Sequence, residues 1–124
     1  MKKNFVLVLI GINLCCLLAC AAQAEQKLNR DEIRRLVAGK TVTWVPNGGQ
    51  SYYGVDGYYR WMGPGKTSEG TYHIQDGAVC MKFTRGGLRC DAWYKEGASY
   101  YIKPTQAPGF PSSANQPRYN AVIN

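Results

Sequence analysis

"TYHIQDGAVCMKFTRGGLRCDAWYKEGASYYIK", residues 71–103, decides the fold. Four runs rich in aromatic and β-branched residues cover 71–74, 78–84, 88–94 and 98–103. Gln75-Asp76-Gly77, Arg85-Gly86-Gly87 and Lys95-Glu96-Gly97 separate them. Each separator ends in glycine, which supplies the positive φ that tight reversals demand. Turn signals about every ten residues are the mark of an antiparallel meander.

The pattern extends upstream. "KTVTWV", residues 40–45, is β-branched and aromatic, and Pro46-Asn47-Gly48-Gly49 stops it. "SYYGVDGYYRWM", residues 51–62, reads as a hairpin that reverses near Val55-Asp56-Gly57. One short helix precedes the strands, over about residues 30–38. Asn29 is its N-cap and Glu32 completes a capping box, with Leu28 and Ile33 as the hydrophobic staple. Ile33, Leu36 and Val37 share one face, and Gly39 ends the helix. The expected fold is therefore mainly β: a short N-terminal helix plus a six- or seven-stranded antiparallel meander forming a small barrel or sandwich.

Strand alternation sorts the faces. Val79, Met81 and Phe83 share one side, and Cys80, Lys82 and Thr84 the other. In the next strand Leu88, Cys90, Ala92 and Tyr94 oppose Arg89, Asp91 and Trp93. Cys80 and Cys90 flank one hairpin almost symmetrically, so a cross-strand disulfide is natural. Yet Cys80 lies on a polar-looking face and Cys90 on an apolar-looking one. A bulge at Gly86 or Gly87 would shift the register and reconcile them.

The ends of the chain differ in character. Lys2 and Lys3, an apolar run over residues 5–22 and the small residues Ala22-Gln23-Ala24 have the form of a secretory signal peptide. Residues 1–24 are read as this leader, residues 25–103 as one β domain, and residues 104–124 as a Pro-rich extended or disordered tail. "LLAC", residues 17–20, also has the look of a lipobox, which would lipidate Cys20 and anchor the protein in a membrane. Either processing route places the domain outside the cytoplasm, periplasmic or secreted. Of five cysteines, Cys80 and Cys90 then remain as a pair in an oxidising compartment, where a disulfide is the simplest state. With His73 as the single histidine, a zinc site lacks ligands.

Without Lys2 and Lys3, thirteen Lys and Arg face eight Asp and Glu, a net charge of +5. The excess is modest and no nucleic-acid motif accompanies it. It suits solubility, or contact with anionic envelope components.

Gly65-Lys66-Thr67 ends like a nucleotide phosphate loop. Such a loop needs glycine five residues before its Gly-Lys, where Arg60 stands, and a helix after it. The flanks here are aromatic strands, so residues 63–70 form a basic hairpin connection and no nucleotide cofactor is expected. Ser68 and Ser51 near His73 make no triad pattern. Asp56, Asp76 and Glu96 sit in turns that explain them. Enzymatic chemistry would have to use His73 as its base, a hydrolase reading that ranks below binding.

Aromatic residues are the strongest functional signal. Tyr52, Tyr53, Tyr58, Tyr59, Trp61, Tyr72, Trp93, Tyr94, Tyr100 and Tyr101 fall on strands. Each Tyr-Tyr doublet sends one ring to either side of the sheet. Outward rings beside Arg60 or Lys103 would stack on sugars or grip a protein. The candidate binding residues are Tyr59, Arg60, Trp61, Lys66 and Trp93, and the expected partner is a protein or glycan of the cell envelope.

"EGTYHIQDGAVCMKF", "LRCDAWYKEGASYYI" and the upstream "YYGVDGYYRW" resemble a pattern in small exported proteobacterial proteins. The likeness covers residues 36–102 and implies framework roles for Gly70, Thr71, Tyr72, Gly77, Cys80 and Cys90. A fainter likeness to small periplasmic lysozyme-inhibitor β-barrels implies an inhibitor of an envelope-targeting enzyme, although the basic charge is poorly matched to basic lysozymes. The leading expectation is a non-enzymatic extracytoplasmic binding or envelope-associated protein.

Overall fold

The computed structural model describes residues 24–105 and 118–124. The expected leader, with Cys20, and most of the Pro-rich tail lie outside the described residues. The chain runs β1 (Gln26–Lys27), α1 (Arg30–Val37), β2 (Lys40–Val45), β3 (Gln50–Tyr53) and β4 (Tyr58–Gly63). It continues through β5 (Lys66–Gln75), β6 (Ala78–Phe83), β7 (Leu88–Glu96), β8 (Ser99–Pro104) and β9 (Tyr119–Ile123).

Strands β2 to β8 pair consecutively and antiparallel, as the recurrent turns require. Seven strands from residues 40–104 leave two open edges, and unpaired edges are costly. Strand β9 fills the gap by pairing with both β2 and β8, so eight strands close into a barrel. The last residues of the expected tail are thus a strand. Tyr119, Ala121 and Ile123 alternate inward with Asn120 and Val122 outward, a period of two over five residues. The prolines of residues 104–117 hid that short period. The small β1 adds to β7 beyond the point where β6 ends, pairing Lys27 with Tyr94.

Helix α1 forms as its caps demand. The Glu32 amide donates to the Asn29 side chain at 2.9 Å, and the Asn29 amide donates to Glu32 at 3.3 Å. Its buried residues Ile33 and Val37 point toward the barrel, and it packs on β2, β5 and β6. These strands meet it near the β5–β6 turn, where Asp76 accepts from the Arg30 amide at 3.4 Å. One end of the barrel is therefore plugged by apolar side chains, including Leu28.

The register of β6 and β7 resolves the cysteine conflict without a bulge. Cys80 lies directly opposite Cys90, with Met81 opposite Arg89 and Val79 opposite Asp91. The two sulfurs are bonded. Residues directly opposite share a face, so Arg89, Asp91 and Trp93 point into the barrel beside Val79 and Met81. The polar-looking face of β7 is the interior one. The cysteine side chains point to the outer face of the sheet, Cys80 buried and Cys90 partly so, and Thr105 bonds the Cys90 carbonyl through its amide, at 2.8 Å, and its hydroxyl, at 3.1 Å.

Candidate functional site: the open mouth of the barrel

Opposite α1 the barrel ends in the β2–β3, β4–β5 and β6–β7 turns. A cavity of about 740 Å³ opens there. Its aromatic part follows from alternation along β4: Tyr59 and Trp61 face in, and Tyr58 and Arg60 face out. Tyr59, Gly70 and Phe83 lie side by side across β4, β5 and β6. Gly70 has no side chain, so the Tyr59 and Phe83 rings meet across it, 5.9 Å apart and edge to face. A Cβ at Gly70 would collide with the Lys82 carbonyl oxygen. The Trp61 indole lies over Gly63, where a Cβ would overlap the ring, and its edge runs past Gly49.

The polar part comes from β7 and the turns. Arg89 enters the cavity wall and its Nε donates to Asp91 at 2.9 Å. Asp91 is fully buried, and burial raises its carboxyl above the usual range although Arg89 pulls it back. Burial also opposes the Arg89 charge, but Asp91 outweighs it and holds the guanidinium more firmly protonated. Lys66 and Arg85 stand exposed on the rim; Ser68, opposite Trp61, shares its inward face, while Thr67 and Glu69, opposite Met62 and Arg60, border the opening from the outward face of β5.

A polar network lies among the buried residues. Trp44 Nε1 donates to Ser51 Oγ at 2.8 Å, and Ser51 Oγ meets the Tyr59 hydroxyl at 2.8 Å. Burial pushes the Tyr59 phenol up to about 12, and raises Tyr53 well above its ordinary range. Among the described residues, the Tyr53 hydroxyl and Trp93 Nε1 are buried without a hydrogen-bond partner. The cavity thus combines ring faces, hydroxyls and cations in a partly dry setting, the composition of a small-ligand pocket.

Three of the five residues singled out in the sequence, Tyr59, Trp61 and Lys66, come together here. Their setting differs from the expected outward surface, because both rings face inward. Arg60 is exposed on the outer wall, away from the cavity. Trp93 is fully buried in the core, packed 5.7 Å from Trp44, and presents no binding surface. It shares the β7 inner face with Arg89 and Asp91, and its bulk belongs to the core. Arg89, Arg85 and Phe83 were missed. Alternation through Trp93 was the signal for Arg89, obscured by reading a charged face as an outer one.

Two other groups sit on the outer wall. His73 is exposed opposite Cys80, with Nε2 2.9 Å from the Gln75 amide nitrogen. Tyr101 stacks on Tyr94 at 5.3 Å and donates to the Glu25 carboxylate, which Lys103 also reaches at 3.1 Å. The Tyr101 bond and Lys103 lower the Glu25 carboxyl, and burial with Glu25 raises the Tyr101 phenol. Among the described residues no cluster of three His, Cys, Asp or Glu side chains is placed to hold a metal ion, and no helix is long and apolar enough to cross a membrane. Comparisons with family models, curated proteins and solved structures found no match to the chain.

Proposed function

We propose that this protein is a non-enzymatic, extracytoplasmic binding protein that takes part of a cell-envelope glycan into the open mouth of its barrel. The observation that carries the reading is the contrast in the cavity wall: inward Tyr59, Trp61 and Phe83 beside Lys66, Arg85 and Arg89, with hydroxyls between. Sugar rings bind through such a mixture of flat apolar faces and hydrogen-bonding groups. The leader-like residues 1–24 and the Cys80–Cys90 bond support an oxidising, exported setting. Among the described residues Glu69 is the one carboxylate bordering the mouth, on the outward face of β5, and His73 lies on the outer wall, so the arrangement favours holding over turnover.

The test is a titration of the processed protein with soluble peptidoglycan fragments, followed by tryptophan fluorescence. Trp61 is half-buried at the mouth, whereas Trp44 and Trp93 are buried. A saturable signal that Trp61→Ala abolishes, with the circular dichroism spectrum retained, is the expected result. Binding of undiminished strength by the folded Trp61→Ala protein, measured by calorimetry, would place the ligand elsewhere.

A further inference from the structure

Within that reading, the geometry points to a ligand that carries an oxyanion, a carboxylate or a phosphate, on a ring. The mouth is asymmetric. Trp61 and Tyr59 form its aromatic side, while the β4–β5 and β6–β7 turns deliver Lys66 and Arg85, with Arg89 set deeper. Among the described residues Glu69 is the single acid bordering the cavity, and it lies opposite Arg60 on the outward face of β5. Asp91 neutralises part of the Arg89 charge from behind, and it also anchors the guanidinium through Nε. Among the described residues no acceptor meets the two terminal nitrogens of Arg89. A guanidinium held at Nε with its terminal nitrogens unengaged is pre-ordered for the two oxygens of a carboxylate or phosphate. Holding it on Asp91 lowers the entropy lost when the anion arrives.

Lys66 and Arg85 suit the same ligand in another way. Lys66 opens β5 directly after the Pro64-Gly65 turn and Arg85 lies in the β6–β7 turn; both are exposed and reach the charge from the solvent side, so their contribution is screened by salt. The neighbouring Trp61 face supplies the second half of the recognition. Its indole has Gly63 and Gly49 next to it where other residues would project side chains. A neutral ring would use the aromatic side alone and leave Lys66, Arg85 and the terminal nitrogens of Arg89 unused. A bare anion would use the basic side alone. A sugar acid or sugar phosphate engages both.

Four probes separate these cases: glucuronate, glucose 6-phosphate, glucose and inorganic phosphate, each titrated by calorimetry at two salt concentrations. The expected result is that glucuronate or glucose 6-phosphate binds more tightly than glucose and phosphate, and weakens with salt. The preferred member of the pair tells carboxylate from phosphate. Charge-assisted hydrogen bonds are each worth about tenfold in affinity. Lys66→Gln/Arg85→Gln should therefore weaken the charged probe about tenfold or more, a larger loss than any it causes for glucose. Arg89→Lys, which keeps the charge beside Asp91 but removes the fork, should weaken it by a similar factor. The rim double variant leaves the buried ion pair intact and stands as the independent check should Arg89→Lys fold poorly. Glucose binding as tightly as both anions, an unaltered affinity in the rim variant, or no saturable response to either anion at millimolar concentration would overturn the inference. The first two results leave the mouth as the binding site; undiminished binding by Trp61→Ala is what would remove it.

Discussion

The two ends of this barrel are built from the same strands and finished in opposite ways. At one end α1 lowers Ile33 and Val37 into the opening, and both are fully buried. At the other, no comparable apolar plug is present among the described residues, and Arg89 and Asp91 stand where core side chains would otherwise meet. The apolar end gains from burial that is non-directional and tolerant. The polar end depends on a matched pair, whose removal in part leaves an uncompensated charge. A closed barrel needs its apolar interior to fold, but it does not need both ends sealed. The helix end closes the core by apolar burial, and the mouth, the proposed binding end, depends on a matched ion pair.

The sharpest way to break that contrast is at the buried ion pair. Arg89→Met should cost about 3–5 kcal/mol in chemical denaturation at neutral pH, because Asp91 stays behind without its partner. Burial already raises the Asp91 carboxyl, and loss of Arg89 raises it further. A carboxyl with a raised folded pKa destabilises the fold as pH climbs from its unfolded value toward the folded one. The deficit should therefore be largest near neutrality, shrink as the pH falls through the raised folded value of Asp91, and be smallest below the ordinary carboxyl range, where Asp91 is protonated in both states. A deficit independent of pH would mean that Arg89 acts by packing alone.

At the helix end the effect should be somewhat smaller and pH-independent. Ile33→Ala removes a fully buried side chain and should cost about 2–4 kcal/mol, read as a shift in the denaturation midpoint. Ligand affinity at the mouth, compared under conditions where the variant is folded, should not change. A parallel loss of affinity would show that the two ends are coupled. Smallest of the three, Asn29→Ala should cost about 1 kcal/mol by removing the cap that accepts from Glu32. A loss well below this would mean that packing alone holds α1 in the opening.

Much of this architecture was legible. The capping box at Asn29 and Glu32, the six or seven strands expected up to Lys103, and the Cys80–Cys90 pair follow from local chemistry: a cap, a glycine turn, a period of two; residues 66–70, expected in a connection, instead begin β5. The doublets also behaved as alternation requires, with Tyr53 and Tyr59 inside and Tyr52 and Tyr58 outside. Strand β9 was not legible, because five residues after a proline-rich stretch carry too little pattern to stand alone. Its partners are the edges of β2 and β8, which become available only once the sheet curls. The site was half legible. Tyr59, Trp61 and Lys66 were identified by residue type, but their common cavity depends on which face of β4 the closure turns inward.

By itself, the sequence determined the element types, the turns, the helix caps and the pairing of neighbouring strands, since each is set by residues a few positions apart. Only the tertiary structure decided which face of each strand became the interior. Apolar appearance pointed the wrong way on β7, where Leu88, Cys90 and a buried Ala92 point to the outer face of the sheet and Arg89 and Asp91 to the interior. The reason is that alternation gives two faces without saying which is inner. That choice is made by all eight strands at once, through the register that seats Val79 and Met81 in the core and carries Arg89 to the mouth.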